Sequence, residues 1–515
     1  MFEDMDTPTT PPATLPAHVS TFVVGAGFGG LGIAIKLAER GETDFLVFDR
    51  GDDVGGTWRD NTYPGAACDV PSQLYSFSFA PNPEWSRSFS PQPEIWAYLR
   101  KVAADAGVLD KFRLGASFED AAWDDEANAW RIDTALGSFT ADVLVTASGG
   151  LSEPKMPDVD GIDSFQGEVF HSARWNHDYD LTGKRVAVIG TGASSIQIVP
   201  EIAKQVAHLD VYQRTAPWVM PRRDREYTPL ERFGFRHVPG LQKLYRTAIY
   251  WGREMFVPGF TVNPKLAAPA KKMALANIEK GIKDPEMREK VTPTFEIGCK
   301  RILISNDWYP AITRDNVDLV TDGIAKVTPN GIVTTDGVER EIDALIVATG
   351  FYTTDQPIAE HITGKDGLTL GQHWASNGMA AYKGTTISGF PNLFQIVGPN
   401  TGLGHSSMVF IIESQIAYIL DALKKMRDTN VTAVEPKLAA QQKWNDDLQR
   451  RLERSVWNNG GCSSWYLDAH GRNTTLWPRT TFKFRKLLSS FDQDQYLSTA
   501  RTNAAVPTTK VEQSA

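Results

Sequence analysis

The chain has 515 residues, 42% of them hydrophobic and 22% charged. That is ordinary globular composition, which argues against a disordered, collagen-like or coiled-coil chain, and the length suits two to four domains. Lys and Arg number 53 against 62 Asp and Glu, a net charge of −9 without a strong basic block, so nucleic acid is not an expected partner.

Residues 1–19 are acidic and rich in Thr and Pro. They have no positive start and no apolar core, so they read as a disordered segment rather than a signal peptide. The apolar stretch from Phe22 to Ala38 is too short and too broken by glycine for a membrane span.

Residues 20–50 read as strand, glycine turn, helix, strand. Gly25, Gly27 and Gly30 stand in G-x-G-x-x-G spacing, with Phe28 and Gly29 between them. Such glycines allow a tight turn, close approach of backbone to a pyrophosphate, and close helix–strand packing. The helix N-terminus then offers free N–H groups to phosphate. Asp49 ends the second strand, where a carboxylate suits ribose hydroxyls.

Residues 183–214 repeat the pattern. Gly190 and Gly192 hold the first two glycine places, Ser195 the third, with Thr191, Ala193 and Ser194 in the turn and Gln197 on the helix. Arg214 stands in the register that holds Asp49 in the first copy. An arginine fork suits a 2′-phosphate where a carboxylate would repel it. Copy one therefore reads as an FAD or NAD site and copy two as an NADP site, near Thr215. The likeness continues in DVLVTASGG from Asp142 and DALIVATGF from Asp343. The fold class is α/β, with two nested Rossmann-like dinucleotide-binding domains and a helical insertion.

The three cysteines, Cys68, Cys299 and Cys462, form no C-x-x-C pair. That argues against a dithiol redox centre, a zinc ribbon and a disulfide framework, so no metal is expected and a reducing cytoplasm is. Without a redox pair, a protein holding two dinucleotides reads as one that uses reduced flavin directly, most often with oxygen.

Phe165, Gly167, His171 and Trp175 match the spacing F-x-G-x-x-x-H-x-x-x-W, followed here by Asn176. By these residues the chain resembles the class B flavoprotein monooxygenases, within them the type I Baeyer–Villiger monooxygenases. The tryptophan favours that side over the N- and S-oxygenating relatives. His171 and Trp175 are placed in a linker and given no chemical role.

The resemblance implies FAD and NADPH as cofactors. It implies that oxygen adds to flavin C4a, and that the resulting peroxide attacks a ketone or aldehyde to give an ester or lactone. It implies a flavin-binding loop at 54–79, with Gly55, Gly56, Thr57, Trp58 and Tyr75 against the cofactor and Asp69 in the active site. It makes Arg301 the catalytic arginine and Lys300 a second ligand of the 2′-phosphate, and it sets Trp465 against NADP. An always-protonated arginine can hold an anionic peroxide and the oxyanion that follows it. Asp69 would position it.

The expected division is 20–150 with 381–500 for FAD, 151–220 with 296–380 for NADP, a helical insertion at 221–295, and a flexible tail at 501–515. Leu241, Leu244, Tyr245 and Ala248 of the insertion fall at helical spacing and predict an amphipathic helix packed on the domain, with a membrane-surface helix as the alternative. The family reading makes the insertion a lid. Expected partners are a small carbonyl compound and O2. The rival functions are an N- or S-oxygenating monooxygenase and an idle FAD/NADP-binding protein. Cys68 and Cys299 adjoin Asp69 and Lys300, so if both sit by the pocket, thiol-alkylating reagents should slow turnover and NADP⁺ should protect.

Overall fold

A computed structural model describes residues 15–500, so most of the expected N-terminal segment and the tail from 501 lie outside the described residues. The first strand opens earlier than expected, at His18.

Two sheets form the frame, the first of them mixed. The first holds β1 (His18–Val24), β2 (Phe45–Asp49), β3 (Phe112–Leu114), β4 (Phe118–Asp124), β5 (Ala129–Thr134) and β6 (Gly137–Thr146). β1 pairs in parallel with β2 on one side and β6 on the other. β4, β5 and β6 form an antiparallel run beside them. Phe22 and Val23 of β1 are fully buried, as central parallel strands with both faces covered require.

The second sheet is wholly parallel. Its strands are β7 (Glu168–His171), β8 (Arg185–Ile189), β9 (His208–Tyr212), β10 (Val317–Val320) and β11 (Ala344–Val347), in the order β10-β9-β8-β11-β7. His171 is thus not in a linker. It ends an edge strand, in register with Val347. The hydrogen bonds of the ladder claim this segment because its apolar neighbours Val169 and Phe170 pair with β11.

The chain returns to the first sheet sooner than residue 381. β12 (Ile362–Thr363) pairs with β4, and β13 (Leu393–Gln395) pairs with β6. Ile362, Leu370 and Trp374 bury against that sheet, which draws the chain back. The long helix Met408–Asp428 then packs on the helix Phe28–Glu39. At Gly32 a β-carbon would come within 2.9 Å of the Ile416 side chain, so glycine sets how close the two helices run.

The insertion contains the helices Pro229–His237, Leu241–Glu254, Val257–Thr261, Ala268–Gly281 and Pro285–Val291. Thr228 and Glu231 cap the first reciprocally. The second packs on the domain as expected through Tyr245, with Ile249 and Tyr250 beside it, but the rest of the predicted face turns outward. Leu241, Leu244 and Ala248 are exposed, while Gln242, Arg246, Arg253 and Glu254 face the first domain. Hydrogen bonds from these polar groups to loop carbonyls fix that orientation.

Candidate active site

The two glycine turns are the same object built twice. Gly25 has φ +105° and Gly190 φ +109°. A β-carbon on either would lie 2.6 Å from a carbonyl oxygen, Ala147 O in the first turn and Ala348 O in the second. Those alanines end the DVLVTA and DALIVA repeats, so each turn is pressed against the end of its neighbouring strand. At Gly30 a β-carbon would meet Gly25 O at 1.7 Å, which excludes any other residue. Ser195 occupies the equivalent place and is fully buried, with its hydroxyl unpaired.

Neither helix that follows has a side-chain cap. Their first N–H groups are left to a ligand, as phosphate sites at helix N-termini require. Gly27 and Gly56 face each other, and a β-carbon on Gly56 would stand 3.0 Å from Gly27 Cα. This is a backbone-walled slot beside the first turn. The residues present fit a dinucleotide in each place.

Asp49 has more to do than meet a ribose. One carboxylate oxygen accepts from Ala26 N–H at 2.7 Å, the other from Gly51 N–H at 2.8 Å and Arg59 Nη1 at 2.7 Å. A carboxylate has about four lone-pair sites. The site thus keeps room for a ribose hydroxyl while the aspartate braces the glycine turn. The cleft beyond it is lined by Gly25, Asp49, Arg50, Ser148 and Gly149.

Thr57 opens a short helix, Thr57–Asp60, after the strained pair Gly55 and Gly56. Trp58 Nε1 donates to the Tyr75 hydroxyl at 3.0 Å, and Tyr75 packs edge-on to Phe28 of the first turn. The loop is therefore an aromatic floor rather than free surface.

At the second turn, Arg214 is exposed just beyond β9, and Thr215 O lies 3.3 Å from the Thr191 hydroxyl. Burial and the charge of Arg214 both push the Lys300 ammonium below its usual range. Two cations held close at the edge of the second turn suit a dianionic phosphate.

Asp69 and Arg301 meet in the loop region that Tyr75 links to the first turn and Tyr63 links to the helix after the second. Arg301 Nε donates to Asp69 Oδ2 at 2.9 Å and Nη2 to Oδ1 at 2.7 Å. Burial opposes the charge of Asp69, but Arg301 outweighs it and holds the carboxyl below its usual range. Asp69 in turn raises Arg301 despite its burial. Both side chains keep a solvent-facing part, 24% for Asp69 and 38% for Arg301. The guanidinium is fixed on one side and open on the other.

Sequence reasoning missed several residues around this pair. Arg253 Nη2 donates to Asp69 O at 3.0 Å, and Arg222 Nη2 reaches Cys68 O at 3.4 Å. Tyr466 is buried beside Arg301, its hydroxyl pushed up to about 12 by burial. Tyr63 donates to Gln197 Oε1 at 3.0 Å, and Gln197 Nε2 donates to Ala67 O at 2.9 Å. These last contacts tie the first domain's loop to the helix of the second turn. Trp465 is 43% exposed and tilted against Tyr466.

Cys299 and Cys462 form a disulfide, contrary to the expectation from the cysteine count. It joins the segment leading into Lys300 and Arg301 to the loop carrying Trp465. An odd count leaves one thiol over but does not forbid a pair. The free one, Cys68, is buried, and burial followed by the charge of Asp69 pushes its thiol far up. Little thiolate forms there, so the expected inhibition by alkylation is withdrawn. Thiol titration should find no rapidly reacting thiol in the native chain, one after denaturation, and three after denaturation with a reductant. Three without reductant would refute the bond.

His171 accepts from Ala173 N–H at 3.1 Å, and burial lowers its imidazole to about 4. Below about pH 6.5 the unfolded chain binds a proton here that the folded chain refuses. Stability should fall between pH 6.5 and about 4, by up to roughly 3 kcal/mol from this group. Asn at this place keeps an acceptor for Ala173. The unfolding midpoint of His171→Asn should depend less on pH across that window, and parallel curves would refute the assignment.

A family model described as "Flavin-binding monooxygenase-like" matches residues 19–241. A protein of Streptomyces coelicolor named Baeyer-Villiger monooxygenase is 52% identical over 481 residues, 93% of this chain and 92% of that one. The structure of OTEMO with FAD and NADP superposes with a TM-score of 0.83 at 29% identity, covering 91% of this chain and 97% of the other. Cyclohexanone monooxygenase from Rhodococcus sp. Phi1, bound to NADP⁺, gives a TM-score of 0.84 at 29% identity, covering 95% and 100%. With two dinucleotide turns and a likeness that runs the length of the chain, this protein belongs to the Baeyer–Villiger monooxygenases of the flavin-binding monooxygenase class.

Proposed function

We propose that the chain uses NADPH and O2 to insert one oxygen atom into a small ketone or aldehyde, giving an ester or lactone. The observation that carries this reading is the Asp69–Arg301 pair, fixed by its forked hydrogen bonds, still partly exposed, and set in the loop that Tyr75 links to Phe28 of the first turn and Tyr63 links to Gln197 after the second. FAD, when bound, supplies the hydride acceptor and the activation of oxygen.

The residues divide the work. Gly25, Gly27, Phe28, Gly29, Gly30, Asp49 and the loop from Gly56 through Trp58 to Tyr75 would hold FAD. Gly190, Thr191, Gly192, Ala193, Ser194, Ser195 and Gln197 would hold the NADPH pyrophosphate. Arg214, Thr215 and Lys300 would take its 2′-phosphate, with Trp465 against the coenzyme. Arg301 would stabilise negative charge on activated oxygen and on the tetrahedral adduct, the largest electrostatic contribution in such a reaction. Asp69 would set its angle.

In this reading the first sheet, with the returning chain from residue 362, is the FAD unit and the second sheet the NADP unit. Among the described residues no helix is long and apolar enough to cross a membrane. We propose the cytoplasm as its location, although the Cys299–Cys462 bond removes the cysteine argument for a reducing compartment.

NADPH oxidation should be stimulated by some members of a ketone panel, with a product heavier by one oxygen atom and a carbonyl shifted to ester. Oxidation of amines or sulfides alone would favour the N- or S-oxygenating rival. No stimulation by any substrate, with both nucleotides bound, would favour an idle binding protein.

A further inference from the structure

The helix Leu241–Glu254 packs Tyr245, Ile249 and Tyr250 inward and carries a second apolar stripe outward. Leu241, Leu244, Ala248, Trp251 and Met255 recur at intervals of three and four residues, so they form one stripe. All are exposed, Met255 by 78% and Leu244 by 67%. The stripe continues into Phe256 and Val262, also exposed. Of the nineteen exposed large hydrophobic side chains among the described residues, ten lie between Leu230 and Leu266. Scattered surface hydrophobics need no explanation, but a concentration of this kind marks a contact surface.

The inward side is held firmly. Gln242 Nε2 donates to Gln73 Oε1 and to Asn82 O, each at 2.8 Å. Arg246 donates to Gln73 O at 2.8 Å and to Ser76 O at 2.9 Å. Glu254 is buried, accepting from Thr481 Oγ1 at 2.6 Å and lying 3.3 Å from His405 Nε2. The helix cannot roll to bury its stripe without breaking these bonds.

Charge selects the occupant. From Arg232 to Ile278 the sequence has eight Lys or Arg and a single acid, the buried Glu254, in a chain of net charge −9; of the eight, Arg246 and Arg253 turn inward and Arg236 and Lys271 pair with Glu84 and Glu296. Lys243, Lys265 and Lys272 are exposed, and among the described residues no carboxylate pairs with them. A second copy meeting this face about a two-fold axis would set one basic rim against another. An anionic bilayer surface uses both features. Its headgroups attract the lysines, and its acyl boundary takes the apolar stripe, with Trp251 at the level where indole rings settle.

We propose that this face, centred on the helix Leu241–Glu254, docks the enzyme on anionic lipid membranes. Binding lies in the surface plane and needs no spanning segment. The last turn of the docked helix carries Arg253, which donates to the Asp69 carbonyl.

The test uses the FAD-loaded full chain with vesicles of phosphatidylcholine, alone or mixed in equal parts with phosphatidylglycerol. Co-sedimentation should occur with the mixed vesicles and fall about tenfold or more when salt rises to ~0.5 M. Leu244→Glu with Met255→Glu should abolish it while FAD content and NADPH oxidation stay as in wild type. If that variant loses FAD, Lys243→Glu with Lys265→Glu serves instead, leaving the stripe intact. Removing each cation alone should weaken binding about fivefold. Equal binding to both vesicle types, or to neither, would overturn the proposal. So would a concentration-dependent dimer in sedimentation velocity that Leu244→Glu with Met255→Glu dissolves while vesicles capture nothing.

Discussion

Arg301→Ala should bind FAD and accept hydride from NADPH, yet make almost no ester. The guanidinium is proposed to act on charge that exists only once oxygen is engaged, so reduction does not depend on it in the same way. Losing one preorganised donor to an oxyanion costs ~2.7–4 kcal/mol, or about a hundredfold to a thousandfold in rate. NADPH should then be consumed with release of hydrogen peroxide in place of product. Arg301→Lys should recover little, because an ammonium lacks the planar fork that engages both oxygens of Asp69, through Nε at 2.9 Å and Nη2 at 2.7 Å. Stopped-flow reduction and reoxidation, with ester measured on the same samples, give the decision. Near wild-type ester from Arg301→Ala would remove the arginine from the chemistry and move the protein toward the N- or S-oxygenating kind. Asp69→Asn separates positioning from charge. The amide keeps one acceptor but no countercharge, so ester formation should fall while coenzyme KM holds.

Arg214→Ala should raise KM for NADPH by about ten- to a hundredfold and leave KM for NADH nearly unchanged. A charge-assisted contact to phosphate contributes ~1.5–3 kcal/mol, and NADH has no 2′-phosphate to lose. Lys300→Ala should act in the same direction. The two losses should add imperfectly, since Arg214 already depresses the Lys300 ammonium in the absence of phosphate. The double variant should approach equal use of both coenzymes. Equal effects on NADPH and NADH in either single variant would refute the placement of the 2′-phosphate.

Much of the frame could be read from residues alone because the physical constraint is local. At Gly25 and Gly190 a β-carbon would strike a carbonyl 2.6 Å away, so glycine is compulsory and the repeat survives in the sequence. The site itself is different in kind. Asp69 and Arg301 are far apart along the chain, and nothing in either's neighbours announces the other. They were paired by resemblance, and the fold brings them into contact. Arg253, Arg222 and Tyr466 carried no sequence signal because each comes from a separate element and converges only in space. The stripe at Leu241 was legible as a period, but a period does not say which way a helix faces. That was decided by polar anchors such as Arg246 on Gln73 and Ser76. The cysteines failed for a related reason, since pairing depends on distance and the count alone cannot supply it.

The bond between Cys299 and Cys462 makes laboratory practice part of the enzyme's definition. It closes a ring across 163 residues of chain, and in the chain-entropy account such closure stabilises the folded state by about 5 kcal/mol. Thiol additives are routine in storage buffers, and a preparation kept with them is a different covalent molecule from one kept without. Its thermal half-life, and the grip we propose for the coenzyme between the Lys300 segment and the Trp465 loop, should differ accordingly. Two laboratories could then measure honest but unequal constants on identical sequences, with the bottle of reductant as the uncontrolled variable.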